Sequence, residues 1–212
     1  MSLERIKVDH VSKEIKGVTV IDNISMGLSK GKIYGIRGVN GSGKTMLMRL
    51  LCGLIRPTKG RVFYDGRILG KELAFPPSIG VLLEGPAFLD GYSGYSNLKM
   101  IADIKGIIGE KEIRETLSKV GLDSQDKKKY KKYSLGMKQR LGIAAAIMEE
   151  PEVILLDEPF NALDETGIEI IDGLIREQRS RGALVVLACH DTRHLEQLAD
   201  EMTELSGGRI VG

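Results

Sequence analysis

Tryptophan is absent from this 212-residue chain, and aromatic residues together make up only 5% of it. Cysteine is almost as scarce, since Cys52 and Cys189 are the only two. Both lie in apolar surroundings and lack the spacing of a metal clip or a redox pair. We therefore expect two reduced thiols in the core, and no disulfide framework of the kind found in small secreted proteins.

An excess of one charge is also missing, because 31 Lys and Arg residues stand against 29 Asp and Glu residues, a formal net charge of +2. Binding to a phosphate backbone usually needs a strongly basic surface, so composition gives no support for a dedicated nucleic-acid binder.

Long apolar runs are missing too. The opening segment MSLERIKVDH is charged, and runs such as ALVVLAC are far shorter than a membrane span. We expect a soluble, cytoplasmic chain.

Hydrophobic residues make up 42% of the chain, enough to bury a core, and short apolar runs alternate with amphipathic stretches. Residues 152–157, EVILLD, are typical of a parallel strand buried on both faces, and residues 183–190, ALVVLACH, have the same character. Between them, Ile168, Ile171 and Leu174 share one helical face. This strand, helix, strand order predicts an α/β fold with a mostly parallel sheet, because crossovers are right-handed.

No low-complexity linker divides the sequence, so we predict a single domain over residues 1–212. Its core is expected from residues 1–84 and 151–212, and it begins with an N-terminal antiparallel β subdomain. Turn signals such as KG, SKGK and DG separate the early strands, and one clear helix ends near Gly53. Residues 85–150 have a helical pattern, and we interpret them as an inserted α-helical subdomain.

Residues 38–45 match the motif G-x-x-x-x-G-K-[ST], and an apolar strand precedes them while a helix follows, as the motif requires. Its glycines let backbone N–H groups close around phosphates, and the helix N-terminus adds partial positive charge. Lys44 would reach the outer phosphates of ATP, and Thr45 would bind Mg²⁺. The alternative is a glycine turn before an ordinary helix. The predicted ATP-binding residues of this phosphate loop are Gly38, Val39, Asn40, Gly41, Ser42, Gly43, Lys44 and Thr45. The motif predicts a P-loop NTPase core.

Two acids follow the first buried strand, at the edge where α/β sheets hold their ligands. Asp157 can hold the Mg²⁺ of a bound nucleotide, and Glu158 can orient or deprotonate the attacking water. The alternative is that both acids only cap the next segment, since Pro159 follows and acids often precede helices.

The histidines differ in placement. His190 ends the second apolar strand at the same sheet edge, where it could hydrogen-bond a terminal phosphate in the transition state. A lone histidine is more often structural, so that interpretation stays open for His190. His10 and His194 have no comparable placement, and we predict structural roles for both.

Residues 133–147, YSLGMKQRLGIAAAI, resemble the signature of ATP-binding cassette (ABC) ATPases, in which a serine and a glycine precede a helix. The phosphate loop, this segment, Asp157 with Glu158, NALD and His190 follow the family's order, and the resemblance covers essentially the whole chain. It implies a dimer in which the signature of one chain covers ATP on the phosphate loop of the other. The signature residues carried over are Ser134, Leu135, Gly136 and Met137.

The resemblance also implies that Asp164 belongs to a loop linking the two sites of the dimer. An N-cap for the helix that begins near Glu165 explains the same residue type equally well.

Within the family, YSLGMKQRLGIA and LLEGPAFL look most similar to stand-alone ATPase subunits of bacterial exporters for bacitracin, lantibiotics and related peptides. This implies a Mg²⁺-dependent ATPase, peripheral on the inner face of the membrane, with a second nucleotide-binding domain and a separate integral membrane subunit as partners. Two alternatives are a soluble cassette ATPase acting on ribosomes or DNA, and a non-catalytic ATP sensor. Cassette ATPases that act on ribosomes or DNA generally carry two cassettes or a coiled-coil insertion, which this chain lacks. The catalytic acid Glu158 argues against a non-catalytic sensor.

Two positions depart from the family pattern. The aromatic side chain that usually stacks on adenine aligns with Ile15, and no aromatic residue precedes Tyr34. Stacking contributes about 0.5–1.5 kcal/mol, so we expect roughly two- to tenfold weaker ATP binding and loose base selectivity.

The glutamine that usually contacts Mg²⁺ and water aligns with Glu84. A carboxylate there could bind Mg²⁺ more tightly, unless it is only an exposed acid at a strand end.

The tract DKKKYKKYS places lysines around Tyr130 and Tyr133, a pattern that can indicate nucleic-acid binding. A solvated surface is the alternative, and we expect no nucleic-acid partner. In the glycine-rich segment after Glu84, Phe88, Tyr92 and Tyr95 are expected to be exposed, where the family receives a helix of the membrane subunit.

Overall fold

The computed structural model of the protein describes residues 4–190 and 192–211. Strands and helices alternate along this part of the chain. The strands are β1 (Glu4–Ile15), β2 (Val18–Ser29), β3 (Ile33–Arg37), β4 (Lys59–Tyr64), β5 (Arg67–Ile68), β6 (Ile79–Leu82), β7 (Val153–Asp157), β8 (Leu184–Cys189), β9 (Glu201–Ser206) and β10 (Arg209–Ile210). The helices are α1 (Lys44–Leu51), α2 (Gly94–Lys105), α3 (Glu110–Lys119), α4 (Leu135–Ile147), α5 (Glu165–Ser180) and α6 (Thr192–Leu198), with a 3-10 turn at Tyr130–Lys132.

The smaller sheet has the order β2-β1-β4-β5, and its neighbouring strands are antiparallel. A two-residue turn joins β1 to β2, with φ of 50° at Lys16 and 81° at Gly17. Positive φ at both central positions is the hairpin geometry that matches strand twist, and it pairs Ile15 with Val18. The predicted N-terminal antiparallel unit is confirmed.

The larger sheet has the order β10-β9-β3-β8-β7-β6, and β9 through β6 run parallel while β10 is antiparallel. Every residue of β7 and β8 is buried, as expected of strands covered on both faces. The register places Asp157 beside Ala188 and Arg37 beside Cys189, so three strands end at one edge. The α/β fold class predicted from the sequence is confirmed.

Two clusters of buried side chains hold the layers together. One is shared by both sheets and α1, and includes Ile6, Tyr64, Leu47, Leu155 and Val186. The other lies between the opposite face of the larger sheet and the helices, and includes Leu98, Ile113, Leu141, Leu156 and Ile175.

The first helix and the cysteines agree with the sequence predictions. Helix α1 ends at Leu51 with Cys52 as its C-cap, and Gly53 follows with φ of 80°. Cys52 and Cys189 are both buried, and no disulfide joins them. Across residues 4–190 and 192–211, no helix combines the length and apolar character needed to span a membrane.

Helices α2, α3 and α4 lie between β6 and β7. In the lysine tract, Tyr130 and Tyr133 are buried while the five lysines are exposed. The expected exposure of the aromatic residues after Glu84 holds for Tyr92 but is wrong for Phe88 and Tyr95. Phe88 packs edge-on against Tyr130, and Tyr95 packs under the guanidinium of Arg114.

Candidate nucleotide site

The phosphate loop bends in a way that glycine favours. Gly41 and Gly43 have φ of 81° and 108°, a region that residues with a Cβ rarely adopt. Gly43 is the N-cap of α1, yet it supplies no side-chain cap, and the first turn holds no acid. The first amides of α1 have no intrahelical partner, so this helix end can bind an anion.

Lys44 is the first residue of α1, and its side chain is only 6% exposed. Its ammonium group donates to the carbonyl oxygen of Gly38 at 2.7 Å, and it lies 3.8 Å from Oε1 of Glu158. The Lys44 ammonium therefore lies between the phosphate loop and the carboxylate of Glu158.

Thr45 and Asp157 meet through a hydrogen bond of 2.6 Å, in which the Thr45 hydroxyl donates to Oδ2 of the carboxylate. Asp157 is 7% exposed, and burial raises its pKa above the ordinary value despite opposing effects of the Thr45 hydrogen bond and the Lys44 charge. These two oxygen-bearing side chains are of the kind that Mg²⁺ prefers.

Glu158 lies between Lys44 and His190. Its backbone is left-handed, with φ of 51°, and its N–H donates to the carbonyl oxygen of Ala188 at 2.7 Å. Nδ1 of His190 is 2.8 Å from Oε2 of Glu158, and this contact orients the imidazole. The structure thus brings the loop, both acids and His190 together at one sheet edge.

A cavity of about 590 Å³ opens at this edge. The sequence-predicted residues that line it are Asn40, Gly41, Gly43, Lys44, Thr45, Glu84, Asp157 and Glu158. Sequence reasoning missed the remaining lining residues, which are Val18, Thr19, Val20, Met46, Asn161, Gly207 and Gly208. The amide of Gly208 donates to the carbonyl oxygen of Ser42 at 2.9 Å, a pairing that no local motif signals.

Ile15 ends strand β1, is 37% exposed and lies outside the residues that line the cavity. Its pairing partner Val18 is 63% exposed and does line it. The hairpin end therefore borders the cavity with an aliphatic side chain. Val18, and not the predicted Ile15, is the residue that lines it.

Glu84 lines the cavity, but its carboxylate pairs with Arg49, with 2.5 Å between Nη2 and Oε1. Its side chain is 63% exposed, and its charge contributes to the raised pKa of Asp157. Its role as an additional metal ligand stays a prediction.

The signature segment lies elsewhere on the surface. Ser134 is the N-cap of α4, and its hydroxyl accepts from the amide of Met137 at 3.2 Å. Leu135 is 73% exposed, and Gly136 packs against the carbonyl of Ala162. The described residues that line the cavity include none from 134–137.

Asp164 is the N-cap of α5, and its Oδ1 accepts from the amide of Gly167 at 2.9 Å and from Arg140 at 2.9 Å. The capping interpretation is confirmed, and it is compatible with a further role in the loop.

The other two histidines have local contacts that suit structural roles. Nδ1 of His10 is 3.0 Å from Oδ1 of Asn23, and the ring of His194 packs against Phe160 at 5.4 Å between centroids.

Residues 21–161 match the family described as ABC transporter. The chain belongs to this family. Membership implies that the protein binds and hydrolyses ATP, in agreement with the loop, the acids and the cavity found at the sheet edge.

Several relatives match over nearly the whole chain. An uncharacterized ABC transporter ATP-binding protein, YybJ of Bacillus subtilis (strain 168), is 43% identical over 97% of this chain and 94% of its own length. The bacitracin transport ATP-binding protein BcrA of Enterococcus faecalis is 38% identical over 97% of this chain and 68% of its own length. The lantibiotic transport ATP-binding protein SrtF of Streptococcus pyogenes is 35% identical over 97% of this chain and 89% of its own length.

Solved structures share the fold. An ATP-binding subunit of an ABC transporter superposes with a TM-score of 0.88 at 24% identity, over 98% of this chain and 88% of its own. CbiO1 of Clostridium perfringens superposes with a TM-score of 0.82 at 24% identity, over 99% of this chain and 87% of its own.

Proposed function

We propose that this ABC protein is the Mg²⁺-dependent ATPase subunit that powers export of a peptide, antibiotic or similar compound through a separate membrane subunit. The proposal rests on one observation, which is that the two parts of an ABC nucleotide site lie at separate places on this chain. Lys44, Asp157 and Glu158 border one cavity, whereas the signature at Ser134 lies apart on the exposed start of α4. A second copy, or a similar cassette, supplies the missing half. The names of BcrA and SrtF, a bacitracin and a lantibiotic transport protein, support the choice of export.

The residues present fit a nucleotide with its metal. The amides of the loop and the Lys44 ammonium bind phosphate oxygens, and Thr45 and Asp157 hold Mg²⁺. No group of three or more His, Cys, Asp and Glu that could hold a metal occurs within the described ranges. Two oxygen ligands from the protein are enough for Mg²⁺, which is commonly held by one or two carboxylates together with phosphates and water. When bound, the ion neutralises charge that develops on the phosphoryl oxygens.

The remaining roles belong to Glu158 and His190. Glu158 orients and deprotonates the attacking water, since its carboxylate borders the cavity beside Lys44, within reach of a nucleotide bound there. His190, held by Glu158, supports the γ-phosphate. Its contact with the catalytic acid makes a purely structural role the weaker interpretation.

The helical segment 85–150 acts as the subdomain that presents the signature to the partner cassette and docks the membrane subunit. Leu89 and Tyr92 supply exposed apolar surface there, at 54% and 51%. The protein then sits at the inner face of the membrane through that partner. Action on nucleic acid is the weaker candidate, because the tyrosines of the lysine tract are buried and offer no stacking surface.

The experiment that tests the function is Glu158→Gln. Turnover of ATP is expected to fall by about 10²–10⁴-fold because the amide cannot accept a proton, while ATP binding persists and a dimer accumulates. Light scattering with and without ATP measures the dimer, and phosphate release measures turnover. Glu165→Gln, an exposed acid on α5, serves as the control and should turn over normally. Wild-type turnover in Glu158→Gln would refute the mechanism.

A further inference from the structure

Gln139 is a buried polar residue of α4, just over one helical turn after Ser134, and its side chain is used by none of the roles assigned above. It is 8% exposed. Its Nε2 donates to the carbonyl oxygens of Glu158 at 3.0 Å and of Pro159 at 3.1 Å. A carboxamide has two N–H donors, so both are committed to the backbone at the water-activating acid.

The backbone that Gln139 holds is in a conformation that needs support. Glu158 has φ of 51°, and residues with a side chain remain in the left-handed region only where the surroundings over-determine it. Strand β8 supplies one support, through the Glu158 N–H and Ala188. The loop supplies another, because the Asn161 amide donates to the carbonyl of Glu158 at 3.2 Å. The bonds from Gln139 add a support from the signature helix.

The same face of α4 contacts the rest of that loop. A Cβ at Gly136 would lie 2.8 Å from the carbonyl oxygen of Ala162, so the helix and loop backbones are close. Arg140 pairs with Asp164 at 2.9 Å. Positions 136, 139 and 140 are three and four apart and therefore share one side of the helix. The start of α4 and the loop at 158–164 are thus joined at three successive points.

We propose that Gln139 is a positioning residue, which sets the carboxylate of Glu158 from the signature helix. The inference rests on the proposed function, in which Ser134 at the start of α4 covers the nucleotide of the partner cassette. Contact at that helix end is then transmitted through Gln139 to the acid of the chain's own site. One buried amide couples occupancy of one site to chemistry at the other.

Gln139→Met keeps a similar side-chain length and removes both donors. We expect kcat to fall about tenfold, since small misplacement of a reacting group is costly, while KM for ATP stays within about twofold. The Hill coefficient for ATP should move toward 1. Gln139→Glu, of the same shape but without the donors at neutral pH, should lose at least as much turnover and serves as a second variant.

Gln178 is the matched control, because it is also a buried glutamine in a helix, at 6% exposure, and it bonds to Arg181 away from the cavity. Gln178→Met should leave kcat and the Hill coefficient unchanged. Thermal unfolding of all three variants reports any general loss of stability. Equal losses of kcat in Gln139→Met and Gln178→Met would overturn the proposal.

A mixed dimer separates positioning from a general defect. One chain carries Glu158→Gln, so all turnover comes from the Glu158 of the other chain, and two affinity tags isolate the mixed species. Gln139→Met in the chain that keeps Glu158 should lower turnover about tenfold, whereas the same change in the other chain should leave it unchanged. Equal effects in both chains, or none, would refute the positioning role. Normal turnover of the Glu158→Gln homodimer would instead refute the proposed function.

Discussion

At the scale of single residues, Asp157 is an acid in a place that disfavours its charge. Burial raises its pKa, although Thr45 and Lys44 both act in the opposite direction. In the proposed site Asp157 binds Mg²⁺, and a residue selected for such a role need not be optimal for stability.

Asp157→Asn is therefore expected to raise the free energy of unfolding at pH 7 without nucleotide, because the amide carries no charge to bury. A carboxyl group whose pKa is higher in the folded chain lowers stability as the pH rises from its ordinary value through the raised one. The advantage of the variant should thus be full above the raised pKa and vanish below the ordinary one. Urea titrations at pH 7 and near pH 3 measure it. Asp103→Asn, at an exposed site beside Lys99, should show no such gain.

Ile15→Tyr is expected to tighten ATP binding by about two- to tenfold, because it places an aromatic ring at the hairpin end beside Val18. Titration with ATP and GTP measures both affinity and base selectivity. Ile104→Tyr, at an 81% exposed position of α2, controls for added surface aromatic area. Unchanged ATP affinity in Ile15→Tyr would show that a ring at position 15 does not stack on the base.

The residues that sequence alone could place are those whose roles are set locally. The loop from Gly38 to Thr45 needs only a strand, glycines and a helix, so its pattern is complete within a few residues. Glu84 differs, because its partner Arg49 is 35 positions away and only the folded chain brings them together. Gly208 reaches Ser42 by the same kind of long connection.

At the scale of elements, β6 and α4 meet more closely than their sequences suggest. Gly80 is buried in β6, and a Cβ there would overlap the carbonyl oxygen of Ala146. This contact joins the edge of the parallel sheet to the helix that carries the signature. The helical pattern of 85–150 predicted the helices but not this approach, because periodicity carries no information on which backbone atoms touch.

Two glycine substitutions should act in opposite directions. Gly80→Ala is expected to lower the free energy of unfolding by about 2 kcal/mol, because backbone must move to admit the methyl group. Gly173→Ala, in the middle of α5 with nothing near its Cβ position, should raise it by about 0.5–1 kcal/mol. Chemical denaturation of both variants measures the difference, and a neutral Gly80→Ala would contradict the packing.

At the scale of the whole molecule, the two sheets share one core and an ion-pair cluster. Arg5 of β1 is 6% exposed and pairs with Asp65 at 2.8 Å and with Glu152, next to β7. Both acids are about half exposed, so the buried partner is Arg5. Removing the acids would leave its guanidinium charge unpaired inside the protein, which is destabilising.

We therefore expect the sheets to unfold together. Amides of β1 and β2 should exchange with solvent through the same global opening as those of β3 and β8, with equal free energies as denaturant rises. Native-state hydrogen exchange measures this. A lower free energy confined to the smaller sheet would show that it opens on its own.

The left-handed backbone of Glu158 has an evolutionary consequence. Glycine, asparagine and aspartate adopt that conformation more readily than glutamate does, and glycine would relieve the roughly 1–3 kcal/mol that such a backbone costs. Random mutations at this codon therefore tend to gain stability by replacing the acid that we propose activates water. A lineage released from the need to hydrolyse ATP should lose Glu158 early and gain stability as it does, whereas a lineage under selection for turnover must oppose that drift continuously.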